Sequence, residues 1–256
     1  MSGASASPVK PQILVRALRT IEEMRTAVEL QRRVWGYSEA DVVPDQIFVV
    51  ARESGGQVLA AYEGETAVGF ALAFAGIHVG RPYLHSHMVG VVREYQDRGV
   101  GRLLKLAQRE DAMARGIDLI EWTFDPLQLK NAHFNLAKLG AIVRRYIPNV
   151  YGRTSSPLHA GLPTDRLVAE WWVKSPHVQS VLEGKRHTAT DRSARISIPS
   201  NIRQICAEEP AKAEEIQSAV HAEFCGQIAT GRAAIGFEFT EDQGSYLLEP
   251  YEDRID

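Results

Sequence analysis

Two periodicities in the apolar positions predict how the chain folds up to about residue 116. Apolar and polar residues alternate from Ile13, which predicts a first β-strand, because successive side chains of a strand point to opposite faces of a sheet. The turn residues Glu63-Gly64-Glu65 between two apolar runs predict a β-hairpin. Apolar residues spaced three and four positions apart predict helices with one buried face. The predicted strands are 13–19, 57–62, 66–75 and 83–92, and the predicted helices begin at Thr20, Pro44 and Val100 and end near Trp35, Ser54 and Gly116.

The same patterns continue to about residue 174. They predict three further strands, at 118–124, 141–147 and 166–173. They also predict a helix at 131–139, which Gly140 ends, and a long loop at 148–165. Residues 177–200 are polar and charged, which favours an irregular connection. The remaining segment predicts a helix at 209–228 and two short strands, 233–239 and 246–248, around a turn at Gly244.

Composition and charge narrow the class of protein. Of the 256 residues 45% are apolar and 24% are charged, and the formal net charge of −3 argues against a nucleic-acid partner. The chain has no run of ~18 apolar residues, so we expect no membrane span. Residues 1–12 are small and polar and predict a frayed tail rather than a signal peptide. Cys206 and Cys225 lack metal-ligand spacing, which predicts free, buried thiols and a cytoplasmic location.

A glycine-rich turn between a strand and a helix carries the clearest chemistry in the chain. The turn runs from Gln96 to Gly101 and opens the helix that begins near Val100. The first backbone N–H groups of a helix have no intrahelical acceptor, and the positive end of its dipole favours an anion, so such a turn is suited to phosphate. Arg98, Arg102 and Lys105 add positive charge.

Two common nucleotide-binding loops do not fit this turn. A P-loop needs a lysine followed by Ser or Thr after its last glycine, where this chain has Arg102-Leu103. A dinucleotide fingerprint needs a third small residue at the position that Leu104 occupies. Gln96-Asp97-Arg98-Gly99-Val100-Gly101 instead resembles the pyrophosphate loop of the GNAT N-acetyltransferase superfamily, whose pattern is Gln/Arg-x-x-Gly-x-Gly/Ala. The apolar strand before it and the Asn131–Gly140 stretch with its Leu-Gly turn also resemble the family.

The resemblance implies an α/β (mixed α+β) fold of the GNAT type, with a twisted mixed sheet flanked by helices. It covers residues 13–174, after the tail at 1–12, and leaves 175–256 as a small C-terminal α+β extension, which we expect to pack on the transferase domain. A dimer contact through this extension, and hence a homodimer, is the alternative.

The resemblance also implies that acetyl-CoA or another acyl-CoA is the co-substrate, and that no metal is needed. In the family, two neighbouring strands diverge and free backbone groups for the pantetheine arm. The corresponding groups here belong to Val89, Gly90 and Val91, with the Val91 N–H as the oxyanion donor, and Asn131 is a further cofactor contact. The pyrophosphate would bind the amides of Gln96, Asp97, Arg98, Gly99, Val100, Gly101 and Arg102.

Several side chains are candidates for the proton transfers. His85 and His87 alternate along one strand face, and either histidine suits deprotonation of an ammonium near neutral pH. A core polar network is the other interpretation of this pair, and a His-x-His metal site has no evident third ligand. Glu121 is a second candidate base, or else part of a surface ion pair or an edge residue. The family's usual acid, a tyrosine, is replaced by Leu136, so Tyr146 or Tyr151 would have to substitute, unless both only pack.

The acceptor is the least defined part of the prediction. The loop at 148–165 would lie on the acceptor side, where Arg153 and Arg166 could bind the carboxylate of an amino acid, or could simply be solvated charges. The acyl group is acetyl by default, or a larger one such as succinyl. A non-catalytic acyl-CoA-binding or sensor module is the alternative function. A hydrolase is disfavoured, because Ser86 faces away from its histidine neighbours and no G-x-S-x-G elbow exists.

Overall fold

A computed structural model describes residues 12–152, 161–185 and 187–251, and these form two compact units. The first unit lies within residues 12–117 and the second within residues 118–251. No helix among the described residues is long and apolar enough to cross a membrane. The predicted domain boundaries after residues 12 and 174 remain predictions.

The first unit contains four antiparallel strands that pair in chain order. They are β1 (Ile13–Ala17), β2 (Gln57–Glu63), β3 (Thr66–His78) and β4 (Arg81–Val91). All four strands were predicted, and their observed bounds differ from the predicted ones by three residues at most.

Three helices flank these strands, α1 (Ile21–Trp35), α2 (Asp45–Glu53) and α3 (Val100–Ala114). The predicted N-cap Thr20 forms a capping box with Glu23, and Gly36 ends α1 in the left-handed conformation. Phe70 on β3 packs against the Trp35 ring at the end of α1, whereas a Cβ at the neighbouring Gly69 would lie 3.3 Å from Leu104 of α3. Because adjacent strand residues face opposite sides, α1 and α3 cover opposite faces of the sheet.

The second unit contains six strands in the order β5-β7-β6-β9-β10-β8. Their bounds are β5 (Leu119–Phe124), β6 (Ile142–Ile147), β7 (Arg166–Trp172), β8 (Ala194–Pro199), β9 (Arg232–Phe239) and β10 (Gln243–Pro250). All of these neighbours pair antiparallel. The C-terminal segment therefore continues the sheet of its own unit beyond β6.

The second unit differs from the sequence predictions in three places. The predicted helix at 131–139 is a four-residue α4 (Leu129–Ala132) followed by a π-helical segment (His133–Lys138), in which Leu139 N–H donates to Phe134 O. Residues 177–200 are not irregular, since they contain most of α5 (Pro176–Leu182) and all of β8. Gly244 lies within β10 rather than at a turn, because the chain reverses at residues 240–242. Helices α6 (Ile202–Glu208) and α7 (Pro210–Ala229) complete the unit.

Candidate active site

The turn between β4 and α3 has the geometry of an anion site. A short 3-10 turn follows β4, and both Asp97 (φ 58°) and Gly99 (φ 83°) adopt the left-handed conformation before α3 starts at Val100. The first intrahelical bond joins Leu103 N–H to Gly99 O, so the amides from Gly99 to Gly101 lie ahead of any helical acceptor. The first turn of α3 contains no acidic residue and its N-cap has no side-chain bond. These amides and the helix dipole therefore favour an anion.

Near the end of β4, some backbone N–H and C=O groups point away from β3, toward the other side of the strand. Val92 N–H donates to Val68 O on β3, and because backbone groups alternate along a strand, the N–H and C=O of Val91 point to the opposite edge. The Gln96 side chain donates to that Val91 carbonyl at 3.0 Å. Val89 shares the direction of Val91. The backbone groups of Gly90 point toward β3. A Cβ atom at Gly90 would lie 3.0 Å from the Phe70 ring and from the Trp35 ring, so its absence leaves room for both side chains.

Two of the three predicted cations remain near the turn. Arg98 stacks over the Tyr95 ring at 4.4 Å and pairs with Glu63 at 3.2 Å, and Glu63 also accepts a hydrogen bond from the Tyr95 hydroxyl. Arg102 lies in the first turn of α3. Lys105 was wrongly assigned to this cluster: it is 3% exposed and donates to Ser86 Oγ at 2.8 Å, and burial lowers the pKa of its ammonium well below the usual value.

Lys105 belongs to a buried polar network between α3 and β4. Ser86 Oγ donates to Gln108 Oε1 at 3.0 Å, and Gln57 Nε2 donates to the Gln108 carbonyl and to Asp111 Oδ2. Sequence reasoning did not foresee this network. The network links β4 to α3 through Ser86, the residue that precedes His87.

His85 and His87 share one face of β4, as predicted. Their ring centroids lie 6.0 Å apart, and the His87 ring also meets Phe74 edge-on. The β3–β4 register shifts between Leu72 and Ala73, whose partners are Met88 and Ser86, so His87 is the extra residue of a β-bulge. Burial lowers the pKa of both imidazoles, and the neighbouring His87 and Lys105 lower that of His85 further. Both rings are therefore neutral near pH 7, in the form that can accept a proton.

Glu121 is engaged in an ion-pair network on β5. Its carboxylate accepts from Arg145 at 2.5 Å, and it lies directly opposite Glu170 on β7, which pairs with Arg144 at 2.6 Å. Both glutamates are buried. This arrangement favours the ion-pair interpretation of Glu121 over its role as a base.

Tyr146 donates its hydroxyl proton to Asp165 Oδ2 at 2.5 Å. Burial, followed by this bond to a carboxylate, raises the pKa of Tyr146 far above its usual value. A phenol in this setting is a weaker acid than usual. Tyr151, the other substitute, is 58% exposed and contacts the guanidinium of Arg166.

The remaining predicted site residues lie in the second unit. Asn131 is exposed on α4, and Leu136 is fully buried, so this position supplies no acid. Arg166 opens β7 and donates to the Asp165 carbonyl at 2.8 Å. Arg153 lies outside the described residues. Both cysteines are free as predicted, but Cys225 is exposed rather than buried. Among the described residues, no three His, Cys, Asp or Glu side chains come together as metal ligands.

Asp125 was missed by the sequence analysis. It follows β5 directly, one of its oxygens accepts from Leu127 N–H at 2.8 Å, and burial raises the pKa of its carboxyl while Arg166 opposes that rise. An Asp-Pro pair after a strand is typical of a turn, so its sequence context suggested no chemistry.

Comparison with known proteins agrees with this geometry. The profile of the acetyltransferase (GNAT) family matches residues 21–141. No curated protein sequence matches the chain.

Solved structures similar to this chain share its fold at low sequence identity. The Escherichia coli ribosomal-protein-S18-alanine N-acetyltransferase superposes with a TM-score of 0.52 and 15% identity, over 64% of this chain and 96% of that one. A GNAT-family protein from Desulfovibrio desulfuricans gives 0.52 and 14%, over 63% and 99%. The yncA protein of Salmonella typhimurium, solved with its cofactor acetyl-CoA, gives 0.50 and 16%, over 64% and 95%.

The glycine turn, the bulged strand before it and the helix after it all lie inside the matched region. Residues 21–141 of this chain therefore form an acetyltransferase domain of the GNAT family.

Proposed function

We propose that this protein is an acyl-CoA-dependent N-acyltransferase that moves an acetyl group to the primary amine of a small molecule. The observation that carries the proposal is the turn at residues 96–102, in which two left-handed residues lead into a helix with no acidic residue in its first turn. The main-chain amides of Asp97, Arg98, Gly99, Val100, Gly101 and Arg102 would bind the pyrophosphate of coenzyme A. The Gln96 amide, also predicted to bind it, already donates to the Arg93 carbonyl at 3.2 Å.

The edge of β4 supplies the next contacts. The backbone groups of Val89 and Val91 that point away from β3 would bind the pantetheine arm. The Val91 N–H would donate to the oxyanion that forms on the acyl carbonyl. Such a preorganised donor stabilises the transition state because charge develops there.

The two histidines on β4 suit the proton transfer from the amine. An ammonium cannot attack a thioester, so a base must first take a proton from it, directly or through a water molecule. The free amine then forms the C–N bond and loses its second proton to water while the C–S bond breaks, and coenzyme A leaves as a thiolate that is protonated afterwards. His87, at the bulge, is our first choice of base, and His85 is the second. The engagement of Tyr146 with Asp165 favours protonation of the thiolate by solvent.

We propose a chemical class for the acceptor and a cellular compartment for the protein. Arg166 at the start of β7 could bind the carboxylate of an amino acid, and acetyl is the acyl group that the family favours, with succinyl as the larger alternative. Two free cysteines fit a reducing compartment, and we propose the cytoplasm.

A screen for thiol release tests the proposal. Acetyl-CoA and succinyl-CoA are each incubated with the protein and with amino acids, polyamines or no amine, and free coenzyme A is measured. We expect release that depends on one class of amine and on one acyl donor. The alternative, a sensor module, predicts tight acyl-CoA binding by calorimetry with no amine-dependent release, and that outcome would replace the proposed activity.

A further inference from the structure

Helix α7 carries two side chains onto the base of the β6–β7 connection. Gln217 is buried, and its Nε2 donates a hydrogen bond of 2.9 Å to the Pro163 carbonyl. One turn later the His221 ring stacks on the Tyr146 ring, with centroids 4.6 Å apart and 18° between the planes. Both residues lie in the C-terminal segment, beyond the region that matches the family.

The described ends of this connection are bonded to each other. Val150 N–H donates to the Thr164 carbonyl at 3.0 Å, and Asn149 N–H donates to Asp165 Oδ1 at 2.9 Å. The Thr164 hydroxyl donates to the Gly152 carbonyl at 2.8 Å and accepts from the Tyr151 amide. We call these bonded chain ends, residues 149–152 and 163–165, the frame. Helix α7 contacts the frame through the bond from Gln217 to Pro163.

Charged groups of opposite sign lie at this frame. Strands β5 and β6 both run antiparallel to β7. The last residues of β5 and β6 and the first residues of β7 therefore lie at the same end of the sheet. Asp125 follows β5, and Arg166 opens β7 and lies close enough to lower the pKa of the Asp125 carboxyl against the effect of burial. Asp165 is engaged through both oxygens, by Tyr146 and by Asn149. Arg166 keeps its bond to the Asp165 carbonyl, and together with Asp125 it forms a pair of opposite charges near Tyr146.

We propose that α7 completes the acceptor subsite, and that this subsite takes an amino acid with a free ammonium and a free carboxylate. Asp125 binds the ammonium group, and Arg166 binds the carboxylate. His221 and Gln217 are positioning residues, because they act through Tyr146 and through the Pro163 carbonyl. This inference rests on the proposed N-acyltransfer and deepens it, because it adds Asp125 and the two α7 residues to the Arg166 contact proposed above.

The chemistry of the pair explains the choice of class. A carboxylate next to a guanidinium matches the two charges of an amino acid, while a polyamine would meet repulsion from Arg166 and a dicarboxylate would meet repulsion from Asp125. Charge-assisted bonds at both ends would also orient the amine.

Steady-state kinetics of the full chain test the inference. Rates with acetyl-CoA are measured for amino acids and for the same amino acids with an amidated carboxyl group. We expect His221→Ala and Gln217→Ala to raise the KM of the amino acid about tenfold and to leave the KM of acetyl-CoA unchanged, and His221→Phe, which keeps an aromatic ring, to restore the wild-type value. Asp125→Asn should raise the KM of both acceptors by about 10- to 100-fold, and Arg166→Gln only that of the free acid.

The controls separate folding, function and acceptor class. Glu223→Gln, on the exposed face of α7, should match wild type. Unchanged acceptor KM values in His221→Ala, Gln217→Ala and Asp125→Asn would overturn the inference and leave the acyltransferase activity standing. If wild type acetylates no amine, the proposed function fails, and calorimetry of amino acids with the CoA-loaded protein decides the inference: binding that Asp125→Asn abolishes supports the subsite, and no binding overturns it.

Discussion

The Glu121 carboxylate lies 2.5 Å from a guanidinium nitrogen of Arg145, on a strand where Glu121 also faces Glu170 directly across the β5–β7 ladder. Two buried carboxylates at this spacing repel each other unless cations balance them, and Arg144 and Arg145 supply that balance. These ion pairs favour a structural role for Glu121, and its role as a base stays a prediction.

Substitutions at this pair should affect stability more than catalysis. Arg145→Met leaves Glu121 buried opposite Glu170 and should cost about 3 kcal/mol of unfolding free energy. Glu121→Gln removes one carboxylate, and the half-exposed Arg145 keeps its pairing with Glu170 at 3.8 Å, so this variant should cost less, with kcat nearly unchanged. Urea unfolding and thiol-release kinetics measure both. A loss of kcat by two orders of magnitude in folded Glu121→Gln would instead identify Glu121 as the base.

The pH dependence of kcat should report a histidine base. Burial lowers the pKa of His85 and His87 below 6.5, and the base must be unprotonated, so kcat should rise with pH and reach half of its plateau value below pH 6.5. His87→Asn should reduce kcat by about 10²- to 10⁴-fold and remove this acid limb. His85→Asn is the matched variant and should keep the limb. A wild-type profile in His87→Asn would show that this imidazole is not the base.

The left-handed conformation of Gly99 should matter for coenzyme A binding. Gly99→Ala has space for the methyl group but forces an alanine to φ 83°, at about 1–2 kcal/mol. We expect the dissociation constant for coenzyme A to rise about tenfold, because the amides would leave their positions. Gly116→Ala imposes similar strain at the other end of α3, where φ is 71° and nothing lies within 4 Å. Calorimetry should show normal affinity in that control, and equal weakening in both would refute a local effect.

Lys105 should make stability depend on alkaline pH. Burial lowers its pKa in the folded protein, so between that value and the unfolded value of about 10.4 the unfolded chain binds more protons. The free energy of unfolding should therefore rise with pH across this window. Lys105→Met removes the titrating group and should flatten the slope, whereas the exposed Lys130→Met should not. Urea titrations from pH 7 to 10 measure the slopes, and parallel slopes in wild type and Lys105→Met would contradict the account.

Local patterns were sufficient to predict the first unit. Its first strand follows the alternating pattern, the turn at Glu63-Gly64-Glu65 predicts the hairpin of β2 and β3, and Thr20 and Gly36 are capping residues whose effect depends on neighbours in sequence. The glycine turn was predicted for the same reason, because positive φ and helix-start amides are local properties.

Features that depend on tertiary packing were not predictable in this way. Lys105 lies in the same helical turn as Arg102, and only the packing of α3 on β4 buries one beside Ser86. The π-helical segment at 133–138 has an ordinary helical sequence. Asp125 and His221 are 96 positions apart, and only the antiparallel pairing that places β6 beside β7, with α7 against Tyr146, brings their surroundings together.

A crystal structure of the protein with acetyl-CoA tests the central claim most directly. The account predicts diphosphate oxygens within hydrogen-bonding distance of the main-chain nitrogens from Gly99 to Gly101, with the thioester beside the Val91 amide. Acetyl-CoA bound elsewhere on the protein, with no phosphate at that helix start, would contradict it.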